Sequence, residues 1–335
     1  AMKTLLALAA ALVIALPAHA QPAAGRLKGG VAYGLPAWFK QSFLDLREDA
    51  REARERGRHV LLFLHLDECP YCARMLDESF RRGENHDFLR AHFDVIGVNI
   101  RGALEVTAAD GARFTERTFA RHVKVFATPT LLFLDAEGGT ALQLTGYRDP
   151  AAFRQALEYV HGQAYRRQDF AAWLASRERP AVYELRDHPQ FSPRRDLNGW
   201  RKPLAVLFED RHCGECARFH ERTLNHPDVL AEMEQLLVVR LDAESGERVV
   251  APDGTVATPA RWAKALGLTY RPSVVLFDEG REIFRIDARL YHFHFKEALR
   301  YVSGRHYKRY PTTSAYNAAR REELRKLGVD IDYSE

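Results

Sequence analysis

The sequence predicts an α/β protein made of two tandem copies of one unit. Each copy is expected to be a mixed, mainly parallel sheet flanked by helices. Three observations predict it. Apolar strand-like runs alternate with helical segments, the pattern of a sheet covered on both faces. All four cysteines fall in two Cys-x-x-Cys motifs, Cys69-Pro70-Tyr71-Cys72 and Cys213-Gly214-Glu215-Cys216. The segments around the motifs recur in the same order, with a spacing of 144 at the first cysteines (213 minus 69), 143 at Pro129 and Pro272, and 142 at Ala156 and Ala298.

In the first half, Trp38 to Arg56 reads as a helix with Phe43, Leu44 and Leu46 on its apolar side. Leu61-Leu62-Phe63-Leu64 is the strand that feeds the first motif, as Ala205-Val206-Leu207-Phe208 feeds the second. Val95 to Ile100 and Leu236 to Leu241 are further apolar strands. Asp110-Gly111 and Asp253-Gly254 read as tight turns of short hairpins. Thr130 to Asp135 follows Pro129 as Ser273 to Asp278 follows Pro272, and a proline, lacking a ladder donor, suits a strand opening. The closing helices share Ala-Leu-x-Tyr-Val, at Ala156 and at Ala298. Between the halves, a short helix at Gln168 to Arg179 precedes a connection punctuated by Pro180, Pro189, Pro193 and Pro203. A last helix runs from about Ser314 to Leu327 with mixed charge, a solvated face. The expected division is 1–20 export signal, 21–36 leader, 37–165 first domain, 166–200 connection, 201–308 second domain and 309–335 tail.

The 335 residues, 46% hydrophobic, suffice for two cores. Lys3, the apolar run Leu5 to Leu16, and Ala18-His19-Ala20 before Gln21 form the pattern of a cleaved signal peptide. The apolar run is too short to span a bilayer, so no stable membrane insertion is expected. Export places the chain in the periplasm, where disulfides persist. A net charge of +4 with interleaved signs argues against nucleic acid as a partner.

A strand, a Cys-x-x-Cys and a later Thr128-Pro129 or Arg271-Pro272 opening a strand resemble the thioredoxin superfamily, twice over nearly the whole mature chain. Cys-Pro-Tyr-Cys, the Val106 to Phe114 hairpin and Gly146-Tyr147 with Pro150 and Phe153 make the first half similar to exported thioredoxins linked to sulfur oxidation (the SoxW type). The resemblance implies cis bonds before Pro129 and Pro272, close to the cysteines, with Thr128 and Arg271 pairing an extended substrate. The chain also departs from that family. Glu68 and His212 stand where Trp precedes the first cysteine, and Phe63 and Leu207 stand where a buried acid relays a proton.

Only a thiolate attacks a disulfide, and unpaired N–H groups at a helix start can lower a thiol pKa from about 8.5 to about 3.5–7.5. Cys69 and Cys213 are therefore expected to be exposed nucleophiles, with Cys72 and Cys216 as resolving thiols. Tyr71 is expected to offer a face to a partner peptide. Glu215 is expected to place negative charge beside Cys213 and disfavour its thiolate. Structural staples are the bland alternative, but a three-residue loop gains the least from a cross-link. His212, Cys213, Cys216 and His220 leave open a Cu or Zn carrier. No cofactor motif is present and neither motif carries a haem-attaching histidine. The expected activity is dithiol exchange with protein thiol or disulfide substrates, supplied by a membrane thiol-electron transporter. A disulfide isomerase or chaperone is the other alternative.

Overall fold

A computed structural model describes residues 24–334; the expected export signal at 1–20 lies outside the described residues. The first half runs β1 (Leu27–Lys28), α1 (Leu46–Glu55), β2 (His59–His65), α2 (Pro70–Met75), α3 (Gly83–His92), β3 (Phe93–Asn99), β4 (Glu105–Thr107), β5 (Arg113–Thr115), α4 (Glu116–His122), β6 (Thr130–Leu134), β7 (Thr140–Thr145) and α5 (Pro150–His161). After α6 (Phe170–Ala175), the second repeats it: β8 (Leu204–Glu209), α7 (Cys216–Phe219), α8 (Pro227–Met233), β9 (Leu237–Asp242), β10 (Val249–Val250), β11 (Val256–Ala257), α9 (Pro259–Ala265), β12 (Ser273–Asp278), β13 (Arg281–Ile286) and α10 (His292–Ser303). Then come α11 (Thr313–Lys326) and β14 (Ile331–Asp332).

The two four-stranded sheets have the orders β3-β2-β6-β7 and β9-β8-β12-β13. The motif-bearing strands β2 and β8 sit inside the sheets, which is why both are apolar almost throughout. Each sheet is mixed, as expected, but only β2–β3 and β8–β9 are parallel; the other ladders run antiparallel. The "mainly parallel" part of the expectation is therefore corrected. Short turns at Asp135 and Asp278 fold β7 and β13 back directly as hairpins, and antiparallel strands need no crossover. The duplication extends to irregularities. Both hairpins shift register one residue before their turn, at Phe133/Leu134 and Leu276/Phe277. Both closing helices pass into a left-handed residue, Gln163 and Arg305.

The first helix is shorter than Trp38–Arg56. Asp45 caps it, its side chain accepting from the Glu48 amide, and Ser42 Oγ accepts from the Leu44 amide. Such local side-chain bonds give the backbone an alternative to helix. Leu44 takes a positive φ of 61°. Phe39 and Leu44 reach the core by this irregular path, whereas Phe43 is fully exposed rather than on an apolar side.

The connection after α6 does not hang between the halves. It lies along the second: the Ser192 amide bonds Val238 O, and the Leu197 amide bonds Val250 O. The two ends of the described residues also meet, because β1 pairs in parallel with β14, Leu27 opposite Ile331. Lys28 Nζ lies 2.8 Å from Asp330, and the Ile331 amide bonds Arg26 O.

Candidate functional site: two dithiol centres joined through their motif loops

Cys69 caps α2. Its Sγ accepts from the Cys72 amide at 3.1 Å, so an unpaired helix donor faces the sulfur as expected. Pro70 at the first helical position presets that geometry. Thr128 Oγ1 donates to Cys69 Sγ at 3.4 Å, and the Thr128 carbonyl lies 3.7 Å from it. The Thr128–Pro129 and Arg271–Pro272 bonds are both cis. Both cysteine pairs are disulfide-bonded, with Cα separations of 5.2 Å and 5.5 Å. Cys69 is 7% exposed and Cys213 3%, so neither is the open sulfur that was expected; Cys72 and Cys216 are fully buried.

The second centre is built differently. Helix α7 begins at Cys216 with Glu215 before it, so Cys213 precedes the helix by most of a turn rather than capping it. Gly214 stands where Pro70 stands in the first motif and supplies no preset φ. The Cys213 amide bonds Asp210 O. Asp210 is buried and meets Arg271 Nε at 3.1 Å, with Arg179 at 3.8 Å. Burial lowers the Arg271 pKa, against the opposing charge of Asp210. Arg271, expected to face substrate, is thus turned into the protein. Tyr183 from the connection joins Cys213 and Cys216 in one buried cluster.

Tyr71 does not offer a face to a partner; it is 7% exposed and packs on the second half. Its ring lies 4.3 Å from that of Tyr291, its oxygen accepts from the Tyr291 amide at 2.9 Å, and His294 Nδ1 lies 3.0 Å from that oxygen. Burial raises the Tyr71 pKa far above its ordinary value and lowers that of His294 to about 4. Glu215, the counterpart inside the second motif, bonds Arg74 Nη2 at 2.9 Å and Arg289 Nη1 at 3.2 Å. Its charge is therefore compensated by two guanidinium groups, which corrects the expectation that it simply burdens Cys213. Arg74 also pairs with Glu78, which accepts from Tyr147 Oη. Nearby, Arg148 is buried over the Tyr270 ring and faces Asp287 at 3.8 Å. Gly146, with φ of 90°, abuts Ala288, and a Cβ there would collide with it. The residues between the cysteines of each motif thus hold the two halves together.

The possible metal ligands are committed elsewhere. His212 Nδ1 lies 2.8 Å from Pro180 O and its Nε2 lies 2.9 Å from Glu244; His220 Nε2 lies 2.8 Å from Glu209. Among the described residues, no group of three or more His, Cys, Asp or Glu is placed to hold a metal ion. Sequence reasoning missed Tyr183, Asp210, Arg289 and Tyr291. It also missed the strand-end pair His65 and Glu209, four residues before each first cysteine and both buried. The equal offset from the two motifs was the available signal for that pair.

Two dithiols, one capping a helix beneath a cis-proline strand, are the equipment of a thiol–disulfide oxidoreductase. The chain belongs to the Thioredoxin-like domain family, whose model matches residues 46–161 and 195–303. Similar solved structures include a thioredoxin-fold protein from Helicobacter pylori, at 21% identity over 42% of this chain and 88% of that one, with a TM-score of 0.35. The oxidised C-terminal domain of DsbD from Neisseria meningitidis matches at 17% identity over 38% and 98%, TM-score 0.27. A disulphide isomerase from Xylella fastidiosa matches at 16% over 43% and 99%, TM-score 0.26. Among curated proteins none matches the chain. Among the described residues, no helix is long and apolar enough to cross a membrane.

Proposed function

We propose that this chain is an exported, periplasmic thiol–disulfide oxidoreductase that reduces protein disulfides or oxidised carrier cysteines through Cys69 and Cys72. The observation that supports it is the Cys69 sulfur held between the Cys72 amide and the Thr128 hydroxyl, two donors that favour the thiolate. Cys69 S⁻ attacks a substrate disulfide, forming a mixed disulfide and releasing one substrate thiolate. Cys72 then attacks Cys69, closing the protein disulfide and releasing the second thiol. Thr128 and Pro129 would line the strand edge where the substrate backbone lies. Electrons would return through a membrane thiol transporter, and Cys213/Cys216 would be a second redox pair. The domain limits 37–165 and 201–308 are part of this reading.

The test is Cys72→Ser, which removes the resolving thiol and should accumulate mixed disulfides at Cys69. Their absence from cells or from a model disulfide substrate would remove the reading. The direction is tested by the potential of the Cys69/Cys72 couple. A value near about −270 mV fits a reductant, and one near about −120 mV would make the protein an oxidant.

A further inference from the structure

The second dithiol carries its own cover. The chain from Pro180 to Arg186 is bonded to the residues just before it. The Val182 and Tyr183 amides both donate to Arg211 O, at 2.7 and 3.0 Å, two residues before Cys213. His212 Nδ1 reaches back to Pro180 O at 2.8 Å. Tyr183, 8% exposed, shares one buried cluster with Cys213 and Cys216, with Leu185 packed against it, and Arg186 reaches Glu221 at 2.8 Å. Just upstream, Arg179 faces Asp210, the same carboxylate that holds Arg271. The Arg211 carbonyl and the Arg271 side chain are therefore both occupied from within. The first motif is met by the chain ahead of α1, where the Val31 amide donates to Glu68 O at 3.3 Å, and the Cys69 sulfur also meets Thr128.

We infer that Tyr183 and the strap Pro180–Arg186 are the specificity determinant of the second dithiol, excluding polypeptides and admitting only low-molecular-weight thiols and disulfides. The inference rests on the proposed dithiol chemistry. A small thiolate attacks Cys213 and breaks the Cys213–Cys216 bond, giving a mixed disulfide and the Cys216 thiolate. A second small thiol displaces the first as its disulfide; the two cysteines are reduced, the two small thiols are oxidised, and their protons pass to the cysteines. Protein disulfides would react at Cys69 alone.

The experiment alkylates the fully reduced chain with N-ethylmaleimide, or with a maleimide carrying a long polyethylene glycol chain, and follows each cysteine by peptide mass spectrometry. The small reagent should label both Cys69 and Cys213. The polymer should label Cys213 at least about tenfold more slowly than Cys69, a factor that two backbone hydrogen bonds and a buried ring support. Tyr183→Ala should remove that gap and leave Cys69 unchanged. Val182→Pro deletes one strap donor at a side chain that is 60% exposed, and keeps the test decisive if Tyr183→Ala fails to fold. Equal polymer labelling of Cys213 and Cys69 in the unaltered chain, or a gap that survives in the folded variants, overturns the inference. Alkylation reads access and not turnover. Failure of the dithiol reading would show separately, as disulfides that do not exchange with a glutathione buffer.

Discussion

Acidification should loosen the two halves through one partly buried imidazole. His294 sits against Tyr71 of the first motif, with the Tyr333 ring 4.5 Å away and the charges of His292 and Arg321 nearby. Burial, reinforced by His292 and then Arg321, brings its pKa from 6.5 to about 4. The folded value lies below the unfolded one, so between those limits the unfolded chain binds the extra proton. Stability from this group is complete above about pH 6.5 and is lost as pH falls towards 4. A gap of about 2.5 pH units at about 1.36 kcal/mol each amounts to about 3 kcal/mol. Urea unfolding in half-unit pH steps, compared with His294→Gln, isolates it, because carboxylates titrating in both proteins cancel. The stability difference between the two proteins should change by about 3 kcal/mol from pH 7 to pH 4, against the unaltered chain. A difference that stays flat over that range would refute the reasoning.

Glu215→Gln leaves Arg74 and Arg289 buried without the carboxylate between them. It should cost about 3 kcal/mol, the low end for breaking a buried pair because Arg74 keeps Glu78, measured as a shift in the denaturant midpoint. An unchanged midpoint would show that the clamp contributes little. Thr128→Val keeps the shape of the residue and deletes the hydroxyl that donates to Cys69. A hydrogen bond to a charged group contributes about 1.5 kcal/mol, so the Cys69 pKa, read from the pH profile of its alkylation, should rise by about one unit. An unshifted profile in this variant would mean the hydroxyl does not act on the thiolate.

Features carried by local sequence were legible. The duplicated motifs, the strand-opening prolines, both Asp-Gly hairpins and the closing helices all stand where periodicity and turn chemistry put them. The short first helix was not, because Ser42 and Asp45 capture backbone groups that the apolar pattern assigns to a longer helix. The unequal start of the two motif helices was readable in hindsight from Pro70 against Gly214. What the sequence could not display is which surfaces the halves press together. Tyr71 reads as a face for a partner and Glu215 as a charge beside Cys213; both instead meet the other half of the same chain. The burial of Tyr183 with the second cysteines depends likewise on where a proline-broken segment comes to rest, and periodicity does not encode that.

The parallel pairing of Leu27–Lys28 with Ile331–Asp332 gives the two halves a second tether, independent of the covalent one. A protease that cuts once within the proline-broken stretch should leave fragments that co-elute on gel filtration as a single particle. They should part only when the buried Tyr71 and Glu215 contacts and this clasp give way together.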